Sequence, residues 1–155
     1  VDTPRTKRID IISDTHGHLT EALLKQLEGA DLIVHAGDIT SEADWAHLCA
    51  LGPAVKAVLG NNDFYYEYGP EVERLNVFDY EGLSFAVSHY REDLPVGMVD
   101  VAVCGHTHRP RIDDLGKCLV INPGSPSMPR SMRGPTMARM LVREGKVISA
   151  EIIDV

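Results

Sequence analysis

The sequence is short of cysteine and of basic charge, and it holds no long apolar run. Its three cysteines, Cys49, Cys104 and Cys118, are odd in number and form no C-x-x-C pair. That excludes a disulfide scaffold and a thiolate zinc site, and it points to reduced thiols in a cytoplasmic setting. No stretch approaches the roughly 18 apolar residues of a membrane-spanning helix, and no charged-then-apolar leader is visible. A membrane is therefore not an expected partner. Fifteen basic residues stand against 23 acidic ones, for a net charge of −8 with histidines neutral. A surface of that sign repels phosphate backbones, so duplex nucleic acid is not expected either. A small anionic substrate stays open, because bound cations reverse the local sign inside a cleft. With 44% hydrophobic and 25% charged residues the chain is ordinary globular material, and its 155 residues predict one domain over 1–155.

What the sequence does have is seven histidines, most of them in short polar segments that follow apolar runs. Residues 8–13, 31–35 and 54–59 read as β-strands, and 20–28 and 42–51 as helices opened by Thr20 and Ser41. This strand–loop–helix rhythm predicts a largely parallel sheet covered by helices. Residues 75–80 and 83–88 read as a hairpin, 99–104 as a buried strand, 111–113 and 117–121 as a second hairpin, and 136–143 with 146–153 as a third. The run Asn122-Pro123-Gly124-Ser125-Pro126 is too rich in proline and glycine for regular structure. The fold expected is one α/β domain with two packed sheets and helices outside.

Five of the predicted strands release a hard or borderline metal ligand at their ends. Asp14 and His16 follow the first strand, Asp38 the second and Asn61 the third. His89 follows the hairpin, and His106 with His108 follow the buried strand. Open α/β sheets gather such ends along one edge. Nitrogen and oxygen donors without cysteine suit manganese, iron, zinc, cobalt or nickel. Seven donors are too many for one tetrahedral ion and suit two ions sharing Asp38. Such a pair, about 3.5–4 Å apart, holds a bridging hydroxide and clamps both oxygens of an in-line displacement. That arrangement serves phosphoester hydrolysis.

The segments SDTHG (13–17), HAGDI (35–39), GNND (60–63), SH (88–89), GHTH (105–108) and NPGS (122–125) resemble, in order, the motifs of the calcineurin-like metallophosphoesterases. The likeness is to their short single-domain bacterial and archaeal phosphodiesterases. It implies a four-layer sandwich, two mixed β-sheets face to face with helices outside. It places Asp14, His16 and His108 on one ion, Asn61, His89 and His106 on the other, and Asp38 between them. The resemblance implies a phosphodiesterase acting on a small phosphoester, with manganese the expected metal and homo-oligomers common among relatives. His106 or His89 would fix the attacking hydroxide. Two alternatives follow from the same resemblance. One is a catalytically weak binding module on this fold. The other is a phosphomonoesterase or nucleotidase, which needs cations such as Arg91, Arg109 and Arg111 to hold a dianion.

The chain departs from the family at two places. Many relatives carry histidine where Asn62 stands, and Asn62 can donate a hydrogen bond to a phosphate oxygen but cannot deliver a proton near pH 7. Activated diesters are therefore the expected substrates. After His89, relatives have glycine and then a full helix. Here Tyr90 and a short segment, 91–98, lead straight to the next strand. Arg91 is a candidate phosphate clamp.

Other residues carry plainer expectations. His35 reads as a satisfied core histidine and His47 as solvent-facing, while His18 either supports His16, replaces the missing proton donor or merely enters the helix. Asp63 either orients a ligand histidine or braces a turn. Phe64, Tyr65, Tyr66 and Tyr68 either stack on a planar substrate group or cover the edge of the core. Gly124 permits a tight backbone approach beside the site. The cysteines are expected to be buried, and Met137 and Met140 to fill the core or an interface.

Overall fold

The computed structural model describes residues 6–155, so the first five positions of the expected 1–155 domain lie outside the described residues. Two five-stranded mixed sheets are packed face to face. The first has the order β10-β9-β1-β2-β3, the second β4-β5-β6-β8-β7. In the first, β1 (Lys7–Ile12), β2 (Leu32–His35) and β3 (Ala54–Ala57) are parallel. The terminal hairpin β9 (Thr136–Arg143) and β10 (Lys146–Asp154) extends it antiparallel to β1. In the second, β5 (Leu83–Ser88), β6 (Val101–Val103) and β8 (Leu119–Pro123) are parallel. They are flanked by antiparallel β4 (Leu75–Tyr80) and β7 (Pro110–Asp114).

Alternation decides which face each strand buries. Ile9 and Ile11 of β1 enter the inter-sheet core with Phe85, Val87, Val101, Val103, Ile121, Ala138 and Met140. Ile12 and Ile33 turn the other way, against Leu23 and Leu27 of α1 (Glu21–Leu27) and Leu48 of α2 (Glu42–Cys49). Each of those leucines contributes roughly 1.5–3 kcal/mol by leaving water. Thr20 and Ser41 cap the two helices, accepting from the amides of Leu23 and Asp44. Each cap is worth about 1 kcal/mol.

The outer face of the second sheet has no such helix. A single 3₁₀ turn, Arg91–Asp93, opens the segment that supplies Leu94, Val96 and Val99 to cover Ala86, Ala102, Cys104 and Val120. The layer expected there is thus present but irregular, because Pro95 and Gly97 interrupt it.

Two expectations need correcting. Asn122 and Pro123 belong to β8, where Pro123 stands opposite Pro110 at the end of the ladder and needs no N–H. Cys49 is exposed on α2, while Cys104 and Cys118 are buried. Of the two placements expected for Met137 and Met140, the core is the one observed, since both are fully buried. No helix among the described residues is long and apolar enough to cross a membrane.

Candidate active site

The carboxyl ends of β1, β2, β3, β5 and β6 meet at one rim. There the loop after β1 zips to the loop after β2. The amides of Asp14, His16 and Gly17 donate to the carbonyls of Gly37, Asp38 and Ile39 at 2.9, 3.0 and 2.8 Å. Of the eight non-glycine residues with positive φ among the described residues, five are Asp14, His16, Asp38, His106 and His108. Such backbone costs of order 1–3 kcal/mol per residue and persists only where its surroundings over-determine it. Glycine makes the crowding feasible. A Cβ on Gly60 would strike Asp38, and one on Gly105 would strike Ser13 and Asp14.

The side chains are oriented with equal care. Asp14 Oδ2 accepts from the Ser13 hydroxyl at 2.6 Å and the His106 amide at 3.0 Å. Its Oδ1 is buried without any hydrogen-bond partner. That oxygen faces Nε2 of His108 at 3.3 Å, and Nε2 of His16 and of His89 at 3.8 Å each. Asp38 Oδ2 faces Nε2 of His89 at 3.4 Å and of His16 at 3.6 Å. Asn61 Oδ1 lies 2.9 Å from His89 Nε2, and His106 Nδ1 lies 3.3 Å from the same atom. All seven expected ligands are therefore gathered. Two groups of acid and imidazole donors each lie within 4.8 Å of one another: Asp14, His16 and His108, and Asp14, Asp38 and His89.

The other imidazole nitrogens settle which atoms face inward. His89 Nδ1 donates to the Ala36 carbonyl at 2.8 Å, and His108 Nδ1 to the Met128 carbonyl at 2.6 Å. In the neutral rings both Nε2 atoms are then bare acceptors aimed at carboxylate and amide oxygens. Acceptors facing acceptors in a buried site repel unless a cation lies among them, so this donor set fits divalent metal.

The same crowding tunes the protonation of each group. Burial would raise Asp14, but His108, His89 and Ser13 together hold it below its ordinary value. Asp38 is likewise opposed by burial, yet His89 and the Asn62 amides pull it far below the carboxylate range. His108 is raised chiefly by the Asp14 carboxylate that its Nε2 faces. His89 is raised by Asp38 and Asp14 in spite of burial, whereas burial wins at His16 and lowers it.

The other residues singled out from the sequence find definite places. Asn62 turns its side chain onto Asp38 Oδ2 at 3.1 Å, and its backbone amide onto Oδ1 at 2.9 Å. Arg91, expected as a clamp, is paired with Asp113 at 2.7 Å and borders a cavity beside His106. Arg111 shares that partner at 2.8 Å. Asp63 touches no ligand histidine. It gathers the amides of Asp38, Ile39, Thr40 and Gly60 and the Tyr68 hydroxyl. The aromatic group is split, with Tyr66 and Tyr68 packed by Trp45 against the core while Phe64 and Tyr65 are exposed. His18 is exposed, and His47 is solvent-facing as expected.

The segment after β8 is the fastener. Ser125 Oγ donates to the Asp14 carbonyl at 2.8 Å and Ser127 Oγ to the Thr15 carbonyl at 2.7 Å. The Asn122 amide holds the Gly105 carbonyl at 3.1 Å. Gly124, at φ 75°, makes a tight approach against Pro110 and Thr136, not against the candidate ligands. Ser13 and the Met128 carbonyl were not singled out from the sequence; only adjacency to Asp14 marked the first, and nothing local marked the second.

This architecture and this donor set are those of a metal-dependent phosphoester hydrolase. The model of the calcineurin-like phosphoesterase superfamily domain matches residues 8–145, and the chain belongs to that superfamily. It is 35% identical to a probable metallophosphoesterase of Methanothermobacter thermautotrophicus, over 94% of this chain and 91% of that one. It is 28% identical to a phosphodiesterase of Methanocaldococcus jannaschii, over 76% of this chain and 82% of that one. Among solved structures, an archaeal phosphodiesterase superposes with a TM-score of 0.76 at 23% identity, covering 94% of this chain and 99% of the other.

Proposed function

We propose that the chain is a phosphodiesterase that works with two divalent cations. Asp14, His16 and His108 would hold one, Asn61, His89 and His106 the other, with Asp38 shared. The observation that carries this reading is the inward ring of acceptors, above all the orphaned Asp14 Oδ1 facing three imidazole Nε2 atoms. Cations bound there supply Lewis acidity and make water nucleophilic at neutral pH. Manganese is the expected ion; zinc, iron, nickel and cobalt suit the same donors.

The chain's own groups do the rest. Ser13 and the His106 amide fix Asp14, and the two Asn62 groups fix Asp38, so both carboxylates are set before substrate arrives. The depressed Asp38 keeps its charge throughout the physiological range. Asn62 has no proton to give a departing alkoxide, so the reading favours diesters with stable leaving groups.

The test is hydrolysis of bis(p-nitrophenyl) phosphate against p-nitrophenyl phosphate, after chelator treatment and reloading with manganese, nickel, zinc or magnesium. The diester is expected to be turned over at least about tenfold faster than the monoester, with Asp38→Asn reducing the rate by about 100-fold or more. Preference for the monoester, or no turnover with any of the ions, overturns the proposal.

A further inference from the structure

Tyr90 stands between two cavities at the histidine cluster. One, of about 260 Å³, is bordered by Tyr90, His106, Thr107, Arg109 and Asn122 among others. The other, of about 130 Å³, is bordered by Gly60, Phe64, Arg74, His89 and again Tyr90. The Tyr90 ring lies 4.7 Å from the His106 ring and 5.3 Å from the His89 ring, centre to centre. Any group resting beside it is therefore about one ring's width from the inward-facing donors.

Both cavities fall below the roughly 300–1,000 Å³ of pockets for drug-sized ligands, so each suits one arm of a substrate. The charges bordering the larger one are partly matched. Arg91 and Arg111 share the Asp113 carboxylate, and Glu92 lies on the same border as Arg109. The polar amide of Asn122 is already engaged by Gly105 and Thr107. What the larger cavity offers an incoming group is chiefly the surface of a half-buried aromatic ring. Across the divide, the Arg74 guanidinium already covers the Phe64 ring at 5.2 Å, which leaves Tyr90 the freer platform.

We infer that Tyr90 is the specificity-determining residue of the cleft. Its ring receives an uncharged planar ester arm, aryl or nucleoside, in the larger cavity, and it keeps that arm apart from the second one. A phosphodiester has two arms for two cavities, whereas a monoester leaves one empty. This inference rests on the phosphodiesterase reading for the position of the phosphorus between the cavities.

The experiment measures binding, so it does not depend on turnover. Phenyl phosphate and methyl phosphate are titrated calorimetrically into the manganese-loaded wild type, Tyr90→Phe and Tyr90→Ala proteins, with bound manganese and circular dichroism checked for each. Stacking on one aromatic ring should make phenyl phosphate bind the wild type about tenfold more tightly than methyl phosphate. Tyr90→Phe keeps that ratio, and Tyr90→Ala brings it to about one. Equal affinities in the wild type, an unchanged ratio in Tyr90→Ala, or no binding of either phosphate overturns the inference. The two readings fail separately. Phenyl preference without diester hydrolysis removes the phosphodiesterase and keeps the Tyr90 platform; hydrolysis without preference does the reverse.

Discussion

Asp63 accepts the backbone amide of Asp38 at 2.8 Å, and so a residue 25 positions later in the chain sets the strained turn that carries a candidate shared ligand. The same carboxylate takes the Gly60 amide at 2.8 Å and the Thr40 amide at 2.9 Å, tying the loops after β2 and β3 together. Asp63→Asn puts an amide donor where only acceptors serve. A loss of about 3 kcal/mol of stability is expected, because several buried N–H groups lose a charged partner at once. Urea denaturation measures that loss. Bound manganese should fall in the same variant, since the Asp38 turn relaxes.

Asn62 leads to a different kind of prediction, one about leaving groups. Its backbone amide would still reach Asp38 Oδ1 after substitution, and only the side-chain contact to Oδ2 would be lost. Asn62→His installs a group that titrates near neutrality and can protonate a departing oxygen. Across a series of substituted phenyl methyl phosphates, kcat of the wild type should fall steeply as the leaving group becomes more basic. In Asn62→His the slope should flatten, with about a 100-fold relative gain for the most basic phenols. Asn62→Ala, which loses the contact without gaining a donor, should be slower throughout and keep the wild-type slope.

The candidate ligand positions were legible because strand ends announce themselves. An apolar run such as 8–13 or 99–104 stops at a polar residue, and parallel strands must deliver those residues to one rim. Asp14, Asp38, Asn61, His89, His106 and His108 could be found this way. The partners that orient them could not. The Met128 carbonyl on His108, the Asp113 carboxylate on Arg91 and the Asp63 hub are chosen by loops that meet only in the folded chain. Proline misled for a related reason: Pro123 breaks a ladder only where its missing N–H is needed, and at the end of β8 it is not. Cys49 reads as a small buried hydrophobe, but it is exposed on α2.

The Asp10 network, on the helix-facing side of β1, should matter for stability alone. Asp10 is fully buried and accepts from Arg8 at 2.6 Å and from Arg139 at 2.9 Å. Both arginines then reach the Gln26 carbonyl, at 2.5 and 2.7 Å, and so staple the last turn of α1 to the sheet. Asp10→Asn should lower stability by about 2–3 kcal/mol, the loss being moderated because the arginines keep some exposure to water. Manganese content and diester turnover of the folded fraction should equal those of the wild type. A drop in either would mean that the helix layer, and not the loop network alone, holds the ligands in place.

His35 predicts how stability depends on pH. Its Nδ1 accepts the Gly37 amide at 3.1 Å, so Nε2 carries the proton and donates to Thr15 Oγ1 at 3.0 Å. The ring thereby joins the Asp14–His16 loop to the Asp38 loop while fully buried. Burial pushes its pKa down to about 4, below the ordinary histidine value of 6.5. The folded chain keeps the ring neutral while the unfolded chain takes up a proton, so its contribution is complete above pH 6.5 and is lost as pH falls towards 4. Over that window the loss amounts to about 3 kcal/mol. His35→Asn keeps an acceptor for Gly37 but does not titrate. Measured by urea denaturation with chelator present, the stability difference between wild type and His35→Asn should therefore be largest at pH 7 and shrink by about 3 kcal/mol by pH 4. His89 and His108, whose raised values give the opposite slope, are common to both proteins and cancel in the difference. A difference that stays constant with pH would show that the ring is not held neutral between the two loops.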